Sequence, residues 1–208
     1  DESRCMQCHQ GRHSTVSVNA GIEEAGLTES PDEVSEDLGF SNIHYYAAAA
    51  TQFGKAAMGG YEYDGKTYDS KFDHVEGYDA CIDCHNSHTL EVKVDDCVEC
   101  HEGVTSPEDL ANVRMAGSLV DYNGNGNMEE GISAEIEGLR AMLYEAMQAY
   151  SSEVSGSEVV YDAAAYPYYF DSAGERYGSW TPRLAKAAYN YQVSLKDPGN
   201  FAHGGKYT

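Results

Sequence analysis

Apolar side chains recur at intervals of three and four through MEEGISAEIEGLRAMLYEAMQAYSSEV, at Ile132, Ile136, Leu139, Leu143, Met147 and Tyr150. That spacing lines them along one face and predicts an amphipathic helix of about 20 residues, the strongest element in the chain. A second helix is marked by its ends. In TPRLAKAAYNYQVSLKD, Thr181 suits the N-cap and Pro182 the first helical position, while Asp197, Pro198 and Gly199 stop it. The alanine-rich run of NIHYYAAAATQFG predicts a short helix that begins at His44 and ends before Gly54. GGYEYDGKTYDSKF reads as a turn or hairpin, and the tyrosine-heavy VVYDAAAYPYYFDSAGERYGSW as irregular chain. The expected fold is mainly α with extensive irregular loops and little β. No apolar run approaches the roughly 20 residues that span a bilayer.

Composition makes this pattern harder to fold. Leu, Ile, Val and Phe number only 33 of 208 residues, and the formal charge is -22. That combination ordinarily marks a disordered chain, so something besides aliphatic side chains must supply a core. The charge also excludes nucleic acid and anionic membrane surfaces as partners, since both reward clustered Lys and Arg. Tyrosine, with 17 copies, is the obvious substitute for the missing Leu and Phe. It also suits subunit contacts or the edges of a flat cofactor.

The cysteines name that cofactor. All six lie in three Cys-x-x-Cys-His motifs: Cys5, Cys8 and His9; Cys81, Cys84 and His85; Cys97, Cys100 and His101. In this motif the thiols add to the vinyl groups of haem, and the adjacent histidine reaches the iron from the same side. Three covalent haems c, stacked within the fold, would provide the apolar mass that the chain lacks. Because haem is attached outside the cytoplasm, an exported protein with a cleaved leader is implied, periplasmic or extracellular.

Two other readings compete. Cys81, Cys84, Cys97 and Cys100 have zinc-ribbon form, but this strands Cys5 and Cys8 and leaves three following histidines to chance. A thiol-disulfide role lacks any βαβ pattern around it.

Five histidines remain for the opposite faces of three irons. His44 on its alanine helix, His74 seven residues before Cys81, His88 and His203 beside Gly204 are the better candidates; His13, four after His9, is the weaker. Four good ligands for three irons allow every haem to be bis-histidine, with one histidine left to serve a haem of another chain. The motifs divide the chain into a three-haem region, 1–106, and a haem-free helical region, 107–208, packed on it as one unit and supplying a distal histidine. Within the latter, DYNGNGNMEEGI resembles the start of a calcium loop, with oxygen donors at Asp121, Asn123 and Asn125. Ile132 stands where that loop expects an acid, with Glu129 or Glu130 as substitutes, so a plain Asn-Gly turn capping the long helix is the stronger reading.

At these residues the chain resembles the multihaem c-type cytochromes. FDHVEGYDACIDCH is similar to a segment of the small tetrahaem c3-type cytochromes, in which the histidine of F-x-H ligates the haem of the motif that follows; by that resemblance His74 belongs to the second haem. CMQCHQGRHSTVSV, IHYYAAAATQFG, CIDCHNSHTLEV and AAYNYQVSLKDPGNFAH resemble segments of secreted multihaem cytochromes of metal-reducing bacteria and some archaea, some of which form conductive extracellular filaments. The resemblance implies electron transfer without a catalytic site, homo-polymerisation, and other redox proteins or extracellular electron acceptors as partners. A monomeric periplasmic shuttle and a multihaem reductase or oxidase of small nitrogen or sulfur compounds are the alternatives. The chain departs from those relatives in having three motifs where they usually have four or more.

Overall fold

The computed structural model describes residues 2–44, 46–114 and 117–208. Eight α-helices occur among them: α1 (Glu2–His9), α2 (Thr15–Glu24), α3 (Ala48–Phe53), α4 (Cys81–Cys84), α5 (Val94–Cys97), α6 (Ile132–Tyr150), α7 (Pro182–Lys196) and α8 (Asn200–Gly204). Two strands of two residues each, β1 (Val160–Tyr161) and β2 (Tyr169–Phe170), pair antiparallel, with Val160 opposite Phe170. The mainly helical, loop-rich architecture agrees with the sequence reading.

Helix α7 is the spine of the fold. Its cap is the one expected: the Thr181 hydroxyl accepts the Leu184 N–H at 3.1 Å, and Pro182 opens the helix. Leu184, Ala185, Ala188, Tyr189, Gln192 and Val193 recur at one and three residues along a single buried face. The polar members of the helix clamp the long connection between the first two cysteine motifs. Gln192 Oε1 accepts the Ile43 N–H at 2.8 Å, Asn190 bonds both the N–H and the carbonyl of Tyr61, and the Tyr189 hydroxyl donates to Gly59 O. In addition the Ala47 N–H donates to Lys196 O. These bonds tie Ile43 and Ala47 outside any helix, so α3 begins at Ala48 and not at His44, which lies in the irregular chain before it.

The core joins both halves of the chain: Val18, Ile22, Leu27, Leu38 and Ile43 pack with Met147, Val159, Trp180, Leu184 and Ala188. Tyrosine does take the place of aliphatic residues here. Tyr61, Tyr169, Tyr177 and Tyr189 are buried, and each hydroxyl finds an acceptor, on Asn19, Ala188 O, Ser157 O and Gly59 O respectively. A buried tyrosine so satisfied contributes its ring area without stranding a polar atom. The tyrosine-rich segment after α6 is more ordered than its composition suggested. It folds into the small β1–β2 hairpin, where Tyr161 opposes Tyr169 and their rings meet at 5.0 Å, because aromatic residues favour paired, half-buried strands. GGYEYDGKTYDSKF forms a turn, closed by Lys66 N–H to Tyr63 O, without strands.

Helix α6 follows its predicted register, with Ile136 and Met147 buried and Leu143 against the core, whereas Leu139 is 41% exposed. Glu135, on the same helix, is fully buried and paired to Arg114 at 2.7 Å. From Glu62 to Gly103, by contrast, no residue is buried.

Candidate haem-binding site

The three motifs share one local geometry. Each occupies a helical turn: His85 N–H donates to Cys81 O and His101 N–H to Cys97 O, both at 2.9 Å, while the first motif lies wholly within α1. Positions i, i+3 and i+4 of such a turn share a face, so two sulfurs and one imidazole project together. Helices α1, α4 and α5 contain no buried residue, and none of the six cysteines is paired in a disulfide. Cys5 lies within hydrogen-bonding reach of Cys81, and Cys84 is the neighbour of Cys97. The second motif therefore stands between the first and the third.

Partial burial pushes the thiols of Cys81, Cys84 and Cys97 up from their ordinary range, with neighbouring cysteine and acidic groups acting in the same direction. At these three positions burial thus disfavours the thiolate. Among the described residues, no group of three or more His, Cys, Asp or Glu is arranged to hold a metal ion by itself, so the four ribbon-spaced cysteines do not converge as a zinc site.

The histidines group across the motifs. The ring of His203, on α8, lies 6.3 Å from that of His85, inclined by 37°. His74 lies 5.8 Å from His101 at 75°. The c3-type resemblance sends His74 to the motif that follows it; in the structure its ring lies beside that of His101, in the third motif. Burial, and then the proximity of His101, lower the pKa of His74, which keeps its imidazole neutral, the form that ligates a metal. His44 adjoins the first motif through its backbone, donating its N–H to Gly11 O at 3.0 Å. His88 sits in an exposed turn after His85, its backbone N–H held by Asn86 Oδ1. His13, half-buried against Ser17, is held neutral by burial.

Three residues that orient these imidazoles were not visible in the sequence. His9 Nδ1 lies 2.6 Å from Tyr46 O, and His85 Nδ1 lies 3.1 Å from Leu90 O. A donor bond from Nδ1 fixes the tautomer with Nε2 open toward a metal. Both carbonyls belong to non-glycine residues in left-handed backbone, Tyr46 at φ 55° and Leu90 at φ 65°. Such strain costs roughly 1–2 kcal/mol apiece and tends to collect where a group must be aimed. The third is Asp197, whose carboxylate oxygens both lie 2.9 Å from His203 Nδ1.

The surroundings fit a large flat apolar group. Phe72, Val75, Tyr78, Ile82, Leu90 and Val98, all next to the second and third motifs, are 37–68% exposed. An apolar lining of this size, without a protein core beneath it, matches a partner that is not polypeptide. The loop at Asp121 is built differently. Asp121 accepts the N–H groups of Gly124, Asn125 and Gly126, Asn123 Oδ1 accepts from Asn125, and the amides of Asn123 and Asn125 both donate to Glu130.

No protein-family model matches the chain, and no solved structure matches it. Similarity does extend to the C-type polyheme cytochrome OmcB in two strains of Geobacter sulfurreducens, 26% identical over 98% of this chain and 29% of the relative. The chain thus spans less than a third of the relatives it matches. No helix among the described residues is long and apolar enough to cross a membrane. The alignment runs the length of the chain, and together with the three CxxCH turns it supports a likeness to the multihaem c-type cytochromes.

Proposed function

We propose that the chain carries three haems c, each held between two imidazoles, and conducts electrons as a subunit of an extracellular cytochrome filament. The observation that carries this reading is the run from Glu62 to Gly103, which contains two CxxCH turns and the exposed apolar side chains around them but no buried residue. In this reading Cys5, Cys8 and His9 hold the first haem with His44 opposite; Cys81, Cys84 and His85 hold the second with His203; Cys97, Cys100 and His101 hold the third with His74. Bound haem supplies one-electron redox chemistry, and what the chain supplies is covalent anchorage, imidazoles in fixed tautomers, and exclusion of exchangeable ligands.

Saturation of each iron by two imidazoles is the reason to read a carrier and not an enzyme. His88, exposed and left over from the three pairs, is available to a haem of another copy, which favours the polymer over a monomeric shuttle. Other redox proteins or extracellular electron acceptors are then the partners. The Asp121 loop is read as a self-capped turn, since its carboxylate and amide oxygens already serve the loop's own N–H groups, with calcium binding as the alternative.

The test is a native preparation examined by negative-stain imaging together with haem quantification. Filaments, three haems per chain and a wholly low-spin spectrum are expected. Dispersed particles would replace the filament with the shuttle; a high-spin component that binds nitrite or carbon monoxide would favour the reductase; fewer than three haems would overturn the reading itself.

A further inference from the structure

Of the histidines with a resolved partner at Nδ1, His203 has an unusual one. The proximal imidazoles His9 and His85 face peptide carbonyls, whereas His203 faces a carboxylate, Asp197, at 2.9 Å from both oxygens. The Asp197 side chain is only 2% exposed. Its position is rigid: it ends α7, its Oδ1 also accepts the Gly199 N–H at 3.1 Å, and its carbonyl accepts the Asn200 N–H, which starts α8. The imidazole is pressed down onto this bend, because Gly199 has no side chain and a Cβ there would meet His203 Cε1 at 2.7 Å. The chain from Asp197 to His203 is therefore a cradle that fixes one imidazole ring and gives it a charged acceptor.

Resting on the proposed ligation of the second haem by His85 and His203, we infer that Asp197 is a positioning residue that sets this haem apart as the lowest in potential of the three. A carboxylate accepting Nδ1–H draws the proton away from the ring and makes Nε2 a stronger donor. Such charge-assisted bonds are about twice as strong as neutral ones. A more basic ligand, with a nearby negative charge, stabilises the higher-charged ferric iron over the ferrous. Because Cys81 adjoins Cys5 and Cys84 adjoins Cys97, the haem so tuned is the one placed between the other two. A low-potential middle member makes the chain's own conduction rate depend on a single carboxylate.

The experiment is a potentiometric titration of the holoprotein and its Asp197→Asn variant, followed by optical and low-temperature magnetic resonance spectra. The variant keeps the shape of the side chain and an acceptor for Gly199 N–H. One of three haems should become at least tenfold easier to reduce at a fixed potential, a shift of about 59 mV for a one-electron couple, while all three stay low-spin. Asp197→Glu should return most of the shift. Three low-spin haems with unchanged potentials in Asp197→Asn would overturn the inference and leave the proposed function intact. A wild-type protein with fewer than three low-spin haems would instead sink the proposed function. Should Asp197→Asn fold poorly by near-ultraviolet dichroism, Gly199→Ala provides a second arm: it displaces the ring from below, and loss of the low-spin signal from one haem alone is expected, with three intact signals overturning the placement of His203.

Discussion

Gln192→Leu is the substitution that most directly joins the protein core to a haem ligand. Gln192 is fully buried in α7, and its Oε1 accepts the N–H of Ile43, itself buried, at 2.8 Å. Leucine preserves volume but removes the acceptor. The lost bond is worth about 1 kcal/mol net, and a stranded buried N–H adds about 1–3 kcal/mol, so a total near 2 kcal/mol is expected after credit for removing the Gln amide. For a chain of this size that corresponds to a fall of roughly 4–8 °C in Tm. Ile43 immediately precedes His44, so release of its N–H frees the segment that presents His44 to the first motif. Thermal unfolding of the holoprotein, with optical spectra at ambient temperature, reads both effects. Expected are the lower Tm and a partly high-spin signal from one haem. An unchanged Tm would refute the value placed on this bond, and a lower Tm with three low-spin haems would refute His44 as the ligand.

Glu135→Gln tests the second buried polar anchor. Burial pushes the Glu135 carboxyl up, but bonds from Arg114 and from the N–H groups of Asn123 and Tyr122 outweigh it, so the folded value lies below the ordinary 4.5. A depressed folded pKa contributes stability that is present above the unfolded value and lost as pH falls through the folded one. The stability gap between wild type and variant, measured in denaturant, should be greatest near neutrality and close below about pH 4.5; an equal gap at pH 3 and pH 7 would count against it. Gly204 lies against α3, where a Cβ would meet Thr51 O at 2.6 Å. Gly204→Ala should therefore push α8 away and disturb the His203-ligated haem while leaving the other two low-spin, as seen by magnetic resonance. Without haem, as in a chain expressed without haem attachment, trypsin should cut first at Lys66, Lys71 and Lys93, inside the segment that has no buried residue; equal protection of apo and holo forms would speak against a haem core.

What could be seen in the sequence was what is encoded locally. The cap at Thr181 and the stop at Asp197 are properties of a few adjacent residues, and the apolar register of α6 repeats within one helix, so both were legible. The long-range partners were not. Tyr189, Asn190 and Gln192 look like an ordinary polar helix face until their acceptors and donors, 129–149 positions earlier, are brought against them. Glu135 reads as solvated for the same reason, since Arg114 is 21 residues away. Of the site, the attachment turns were legible because covalent chemistry dictates their spacing. The distal candidates could be named from the sequence but not paired with motifs, because proximity in sequence does not set which rings meet: His74 is nearer to His85 along the chain yet its ring lies against His101, and the ring beside His85 arrives from residue 203.

These partnerships explain how so few aliphatic residues suffice. The chain has two interiors of different kinds. One is polypeptide, built on α7, where tyrosine rings with satisfied hydroxyls replace leucine. The other, between Glu62 and Gly103, has apolar side chains facing outward and no buried residue, which suits packing against the proposed haems. The polypeptide interior nonetheless reaches into the second: α7 fixes Ile43 ahead of His44 and ends in Asp197 beneath His203. Two of the three proposed distal ligands are thereby held by the part of the chain that needs no cofactor, so the protein core can present imidazoles to haems that the CxxCH turns anchor from the other side. On the proposed ligation, folding and haem attachment would be coupled but divided in labour, with covalent bonds fixing which haem sits where and α7 fixing what two of the irons experience.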